Sequence, residues 1–115
     1  MSFFDVSVCA VPTDKRAAYL EHCKVFADAA RAHGALSVTD TWGVDIPDGK
    51  VTDFNRAVQA TADETVCVGW VSWPDKATRD AAWEKLMTDP AMQNMSMPFD
   101  GKRMIFGGYE GINEV

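Results

Sequence analysis

A chain of 115 residues holds one hydrophobic core, because two cores sharing that length would each be marginal. With 47% hydrophobic and 24% charged residues it has the balance of a folded domain, which excludes a disordered one. A formal net charge of -6 sets the surface against a phosphate backbone. No apolar run reaches the roughly 18 to 20 residues of a spanning helix. Neither nucleic acid nor membrane is therefore an expected partner.

The first twelve residues, interrupted by Asp5, lack a basic leading region and a small-residue cleavage site, so no signal peptide is expected and the expected location is cytoplasmic. Cys9, Cys23 and Cys67 form neither a disulfide framework nor a CxxC pair, and are expected to be reduced and buried.

Residues 3–11 alternate, with Phe4, Val6, Val8 and Ala10 against a more mixed Phe3, Asp5, Ser7 and Cys9, which is the period of a strand. Pro12 stops it, and Thr13 is placed to cap a helix carrying Asp14 in its first turn and Arg31 and His33 in its last, before Gly34. Tyr19, Cys23, Phe26 and Ala30 recur there at helical spacing, with Leu20 and Ala27 beside them. Residues 36–46 alternate again, Leu36, Val38, Trp42 and Val44 opposing Ser37, Thr39 and Thr41, and predict a second strand. Pro47, Asp48, Gly49 and Lys50 are turn residues that open a loop to residue 63, with a short helical turn near residues 54–59. Long ordered loops are often lids or site walls.

Residues 64–73, rich in Val and Trp with little alternation, predict a third strand buried on both faces. Pro74 ends it, and Asp75 is a plausible N-cap for a helix over residues 76–88 with Ala82, Trp83, Leu86 and Met87 on its apolar face. A methionine-rich connector, residues 92–97, leads to the turn Pro98-Phe99-Asp100-Gly101 and a fourth strand over residues 103–109. This order predicts an α+β fold: a ferredoxin-like βαββαβ unit, an antiparallel four-stranded sheet with two helices on one face. No element remains to cover the other face. A second copy packing sheet against sheet is expected to do so, giving a homodimer, a dimeric α/β barrel.

The run WGVDIPDGKVTDF at residues 42–54, with Trp73-Pro74 and MPFDGKRM at residues 97–104, resembles the YbaA-like family of uncharacterised bacterial proteins, a domain of unknown function. The resemblance covers essentially the whole chain. It implies membership of the dimeric α/β-barrel superfamily, beside antibiotic-biosynthesis-type and haem-degrading monooxygenases, muconolactone isomerase-like enzymes and NIPSNAP-like proteins. It implies no settled activity. Asn55 departs from the basic residue of that pattern, so no anion role is carried to it.

His33, Asp45, Asp53, Arg56, Asp100, Arg103 and Tyr109 are the polar candidates, and they form no known catalytic spacing. His33 and Asp45 are the candidate catalytic residues, each able to take a proton, although the ordinary reading of His33 is a cation closing the helix C-terminus. Four tryptophans suit either a flat apolar ligand or plain core and interface packing. Trp42, Phe54, Arg56, Trp70, Lys102 and Arg103 are the candidate substrate-binding residues, the last two cations standing where an anionic group could sit or where Asp100 simply pairs with them. Asp45, Asp48 and Asp53 do not match a calcium loop and suit caps and turns. His22, His33 and the cysteines are too scattered for a metal or haem motif, and Gly107-Gly108 lacks a nucleotide-binding pattern, so no metal and no cofactor are expected.

The expected function is that of a small-molecule-binding or enzymatic barrel taking a small apolar or aromatic ligand in a pocket between sheet and helices, walled by residues 47–63. By resemblance its chemistry would be cofactor-free monooxygenase-like or isomerase-like. The alternative is a non-catalytic homo-oligomeric interaction protein.

Overall fold

The computed structural model describes residues 2–115. Strand β1 (Phe3–Pro12) leads through a 3-10 turn (Thr13–Lys15) into helix α1 (Arg16–Ala32), and β2 (Ser37–Asp40) follows. Then come the single-turn helix α2 (Phe54–Ala57), β3 (Glu64–Trp73), α3 (Lys76–Leu86), a second single turn α4 (Pro90–Gln93) and β4 (Ile105–Glu110). The strands lie in the order β2-β3-β1-β4 with every neighbouring pair antiparallel, which is the expected ferredoxin-like α+β arrangement.

Register decides what each face carries, since successive side chains point to opposite sides of a strand. Cys9 stands opposite Cys67 and Phe3 opposite Trp73, so the odd-numbered residues of β1 and β3 share the helix-covered face. Two hydrophobic clusters form there. Cys9, Val11 and Cys67 pack with Tyr19 and Cys23 of α1, and Trp42, Phe99 and Met104 pack around them. Val71 and Trp73 pack with Ala30, Ala35 and Ala82, backed by Phe3, Phe26 and Val38. On the opposite face Val58, from the long loop, covers only one end of the sheet, over Val8, Ala10 and Val66. The rest of that face is open, with Trp70 39%, Ile105 45% and Tyr109 58% exposed.

The helix ends follow local chemistry. Gly34 takes φ 109°, and Ala35 N–H donates to Ala30 O at 3.0 Å while Gly34 N–H donates to Arg31 O at 3.2 Å, a Schellman closure of α1. Asp75 Oδ1 accepts from Thr78 N–H at 2.7 Å and caps α3 as the sequence predicts.

Elsewhere the chain departs from expectation for identifiable reasons. Thr13 does not cap α1: its hydroxyl pairs with Thr65 Oγ1 at 2.8 Å and its N–H with Asp63 O at 2.9 Å, because pairing of Pro12 with Glu64 carries it to the start of β3. Regular pairing of β2 ends at Asp40, although Thr41 and Gly43 still donate to Val68 O and Val66 O; Val44, expected on the apolar side, is 92% exposed. The second long helix stops at Leu86 and leaves Met87 exposed. The connector after it contains α4, started by Pro90 with Asp89 Oδ1 accepting from Ala91 N–H at 2.9 Å. Strand β3 is not buried throughout, since Trp70 faces the open side. The three cysteines are free and buried. Among the described residues no helix is long and apolar enough to cross a membrane.

Candidate functional site

Tyr19 and His22 stand one turn apart near the start of α1, their rings stacked with centroids 6.1 Å apart. Phe99 sets its edge against both, at 6.0 and 5.3 Å, and Trp42 lies 6.2 Å from Tyr19. His22 Nδ1 is 3.2 Å from Ser96 O. A carbonyl only accepts, so Nδ1 carries a proton and Nε2 is the basic nitrogen of the neutral ring. This bond ties the methionine-rich connector to α1. The Cys9 thiol donates to the Tyr19 hydroxyl at 3.7 Å inside this aromatic group.

Asp40 ends β2 on the helix-facing side, opposite Gly69. Asp40 is an exposed residue, and one carboxylate oxygen lies over the sheet: a Cβ built at Gly69 would lie 2.7 Å from Asp40 Oδ1 and 3.6 Å from Ser7 Oγ. Asp40, Gly69, Ser7 and Phe106 form one row across the four strands, since Asp40 pairs with Gly69, Gly69 with Ser7 and Ser7 with Phe106. The row is small and polar at its centre and runs between the two helix-side hydrophobic clusters. At the β4 end it is uncovered, with Phe106 77% exposed.

Burial pushes the titratable groups here toward their neutral forms. It raises the Asp40 carboxyl above the usual carboxylate range, an effect partly offset by the neighbouring Cys23 thiol and His22. Burial lowers His22, against the pull of its bond to Ser96. It pushes the Cys23 and Cys67 thiols up to about 12 and also raises Cys9 and Tyr19, so all four are protonated at neutral pH and the thiols are not nucleophiles. Asp40 and His22 are the remaining titratable groups of the cluster, the acid raised and the base lowered. Among the described residues no three His, Cys, Asp or Glu side chains are disposed to hold a metal ion.

The residues predicted from sequence are distributed differently. His33 caps the C-terminus of α1, with Nε2 3.7 Å from Asp89 Oδ2, whereas Trp42 packs on Tyr19 and beneath the Arg16 guanidinium, 5.4 Å away, at the other end. Seventeen residues of helix, about 25 Å, separate those ends, and exposed Asp45 follows Trp42, so His33 and Asp45 are not brought together. Trp70 lies on the open sheet face, opposite to Trp42. Phe54 is 51% exposed on α2. Arg56 is occupied by its own loop, with Nε 3.1 Å from Asp53 Oδ2, Nη1 2.9 Å from Val51 O and Nη2 on Gly49 O. Lys102 is exposed beside Asp100. Two hollows open elsewhere, one of about 490 Å³ bordered by Phe3, Lys76 and Glu110 and one of about 110 Å³ bordered by Val6, Ile105 and Tyr109.

Arg103 is occupied as well. It grips Glu64 through two bonds, 2.8 and 2.6 Å, and also donates to Asp100 at 3.1 Å and to Gln59 O at 2.8 Å. The guanidinium holds the Glu64 carboxyl down at about 2, below its ordinary value of 4.5. A depressed acid stabilises the fold fully above its unfolded pKa and loses that contribution as pH falls through the folded one. Acid unfolding of the wild type is therefore expected to steepen between about 4.5 and about 2, and Glu64→Gln should flatten that limb while lowering stability at pH 7. Denaturant melts across this pH range check it, and an unchanged acid limb in the variant would refute it.

The chain is similar to known proteins along its whole length. Residues 2–101 match the family described as Protein of unknown function (DUF1428). The uncharacterized protein YbaA of Escherichia coli (strain K12) is 49% identical over 114 residues, 97% of each chain, and YbaA of Shigella flexneri is equally similar. Among solved structures, a dimeric ferredoxin-like protein from an uncultured marine organism superposes with TM-score 0.62 at 11% identity, covering 99% of this chain and 98% of that one. A NIPSNAP family protein of unknown function from Agrobacterium tumefaciens gives TM-score 0.52 at 10% identity, covering 94% and 84%. At these identities the two structures support the ferredoxin-like fold alone, whereas the family match and the 49% identity establish that the chain belongs to the DUF1428 family, with YbaA as a relative.

Proposed function

We propose that this protein is a homodimeric, small-molecule-binding barrel that moves a proton on an apolar or aromatic ligand, in isomerase-like or cofactor-free monooxygenase-like chemistry. Asp40 is the proton-transfer group, His22 its neighbouring base, and Tyr19, Trp42 and Phe99 are the walls. The observation that carries this reading is the Asp40 carboxylate, which lies over Gly69 on the helix-facing side of the edge strand and is raised by partial burial. A carboxyl raised toward neutrality beside an apolar enclosure is suited to give and take protons. His33, at the C-terminal end of α1, and Asp45, in the exposed loop that follows Trp42, are not part of that group. Three buried free thiols suit a reducing compartment, which supports a cytoplasmic location.

Asp40→Asn is the test. An acid whose pKa is raised in the folded state costs stability when ionised, so its neutral amide is expected to raise the melting temperature at pH 7. Small aromatic alcohols and ketones are expected to shift the NMR signals of Tyr19, Trp42 and Phe99 in the wild type, and the same change should abolish that response. Ligand shifts confined to the open sheet face, or a variant less stable than wild type with binding unaltered, would overturn the assignment. The second reading, a non-catalytic homo-oligomeric interaction protein, is favoured by the exposed Trp70, Ile105 and Tyr109.

A further inference from the structure

We infer that a second copy packs on the open sheet face with its strands running opposite to those of the first, so that the α2 loop of each copy stands against the start of its partner's β1. The inference rests on the proposed homodimer and adds how the two copies meet. The chain exposes 7476 Å², whereas a monomeric protein of 12.6 kDa exposes about 6,200 Å². The excess of about 1,300 Å² is more than the roughly 800 Å² that each partner gives to a standard interface. It belongs to a slab 22 Å thick against 38 and 36 Å across, two layers with one sheet face bare. Each copy carries a net charge of -6, yet the bare face presents Phe4, Val6, Trp70 and Tyr109 among serine and threonine hydroxyls, with no charged side chain. A face of neither sign is complementary to itself, as a two-fold interface requires.

The loop decides the direction of the second copy. Val58 lies over Val8, Ala10 and Val66, toward the end of β1, and leaves the Phe4 and Val6 rows bare. A helical turn resting on a sheet takes up about 10 Å, the spacing of two stacked sheets, so a second sheet has to stop at the loop. In aligned packing, a two-fold axis relating facing sheets lies between them and runs either along the strands or across them. Along the strands, it stacks the two loops on one another and holds the sheets apart. Across the strands, it sends the loops to opposite ends and lets the bare rows touch. The Phe4 row of one copy then lies over the Val6 row of the other. This sets the Trp70 indole over the partner's Ser37 and Ser72 hydroxyls, acceptors for an N–H that burial would otherwise leave unpaired. Phe54, one helical turn before Val58 and 51% exposed, is the apolar side chain that the loop offers to the partner.

The test uses the full chain with Ala57→Cys, an exposed position beside Val58, carrying a nitroxide label; the three native cysteines are buried. The turning point lies between the Phe4 and Val6 rows, four residues from the middle of each covered end. Pulsed dipolar spectroscopy on the dimer is therefore expected to give a label separation of about 25 Å, eight residues of strand at about 3.3 Å each. Phe54→Ser should weaken self-association about tenfold by sedimentation equilibrium, the effect of losing a half-buried phenyl ring from the interface. A separation under about 15 Å would place both loops at one end and overturn the arrangement. A stable dimer with labels farther apart than the roughly 33 Å of a ten-residue strand, or one indifferent to Phe54→Ser, would overturn it too and leave the homodimer standing. A wild type that stays monomeric at the concentration of the measurement would remove the homodimer and the arrangement with it.

Discussion

Replacing Asp5 by alanine is expected to cost about 3–5 kcal/mol of folding stability, the range for removing one partner of a buried ion pair. Asp5 Oδ2 accepts from the indole N–H groups of Trp73 and Trp83, each at 2.9 Å, while Arg79 Nη2 donates to Oδ1 at 2.7 Å and Nε lies 3.1 Å from both oxygens. The two side chains are 15% and 22% exposed, so water cannot readily replace what is lost. Alanine leaves two indole donors and a guanidinium facing a void. Asp5→Asn keeps one carbonyl acceptor and should fall between, and Asp5→Leu with Arg79→Met should recover part of the loss, because the unpaired cation is then gone as well. Urea unfolding at constant m-value measures all three. A loss below about 1 kcal/mol for Asp5→Ala would mean that solvent reaches the pair and that the network is not a stabilising one.

Asp5 illustrates what the sequence makes legible and what it does not. As a residue it reads only as an interruption of an apolar strand. Its three partners lie at least 68 positions away, and only the antiparallel register of β1 with β3, and α3 packing after it, bring them to one carboxylate. Local signals were sufficient for the elements themselves: Asp75 and Asp53 cap their helices, Gly34 closes α1, and the Val- and Trp-rich run is β3 with the expected bounds. Thr13 failed as a cap because a tertiary partner, Thr65, outcompeted the local one.

For the proposed site, Trp42 was legible as a candidate binding residue, and Arg103 as a cation at a turn, but its pairing with Glu64 across 39 positions was not. Asp40 was the missed signal with a sequence trace. It falls midway between Val38 and Trp42 in the strand alternation, a carboxylate on the apolar stripe, and Gly69 is the glycine that faces it. His22 gave no such trace, since its connection to Ser96 depends on how the connector folds back onto α1.

Lysines at Trp70 and Ile105 are expected to turn the proposed homodimer into a monomer. The open face presents Phe4 and Val6 from β1, Val68 and Trp70 from β3, Ser37 and Thr39 from β2, and Ile105 and Tyr109 from β4, without a charged side chain among them. Sheet packed on sheet would bury that surface at about 10 Å spacing. In a two-fold arrangement each lysine is presented twice, and stripping ammonium groups of water with no carboxylate opposite costs several kcal/mol. At 1.4 kcal/mol for each factor of ten, the affinity should fall by more than about a thousandfold. Sedimentation velocity at micromolar concentration reads the change. Circular dichroism should show the fold intact, because both side chains lie outside the three buried clusters. A wild type that sediments as a monomer would refute the dimer. The substitution also separates the two functional readings. Asp40, Tyr19 and Trp42 belong to the helix-facing side of the sheet, opposite to Trp70 and Ile105, so a monomeric variant in which small aromatic alcohols still shift the Tyr19 and Trp42 resonances would place the whole proposed small-molecule site within one chain. Loss of that response together with the dimer would instead make the second copy part of the site.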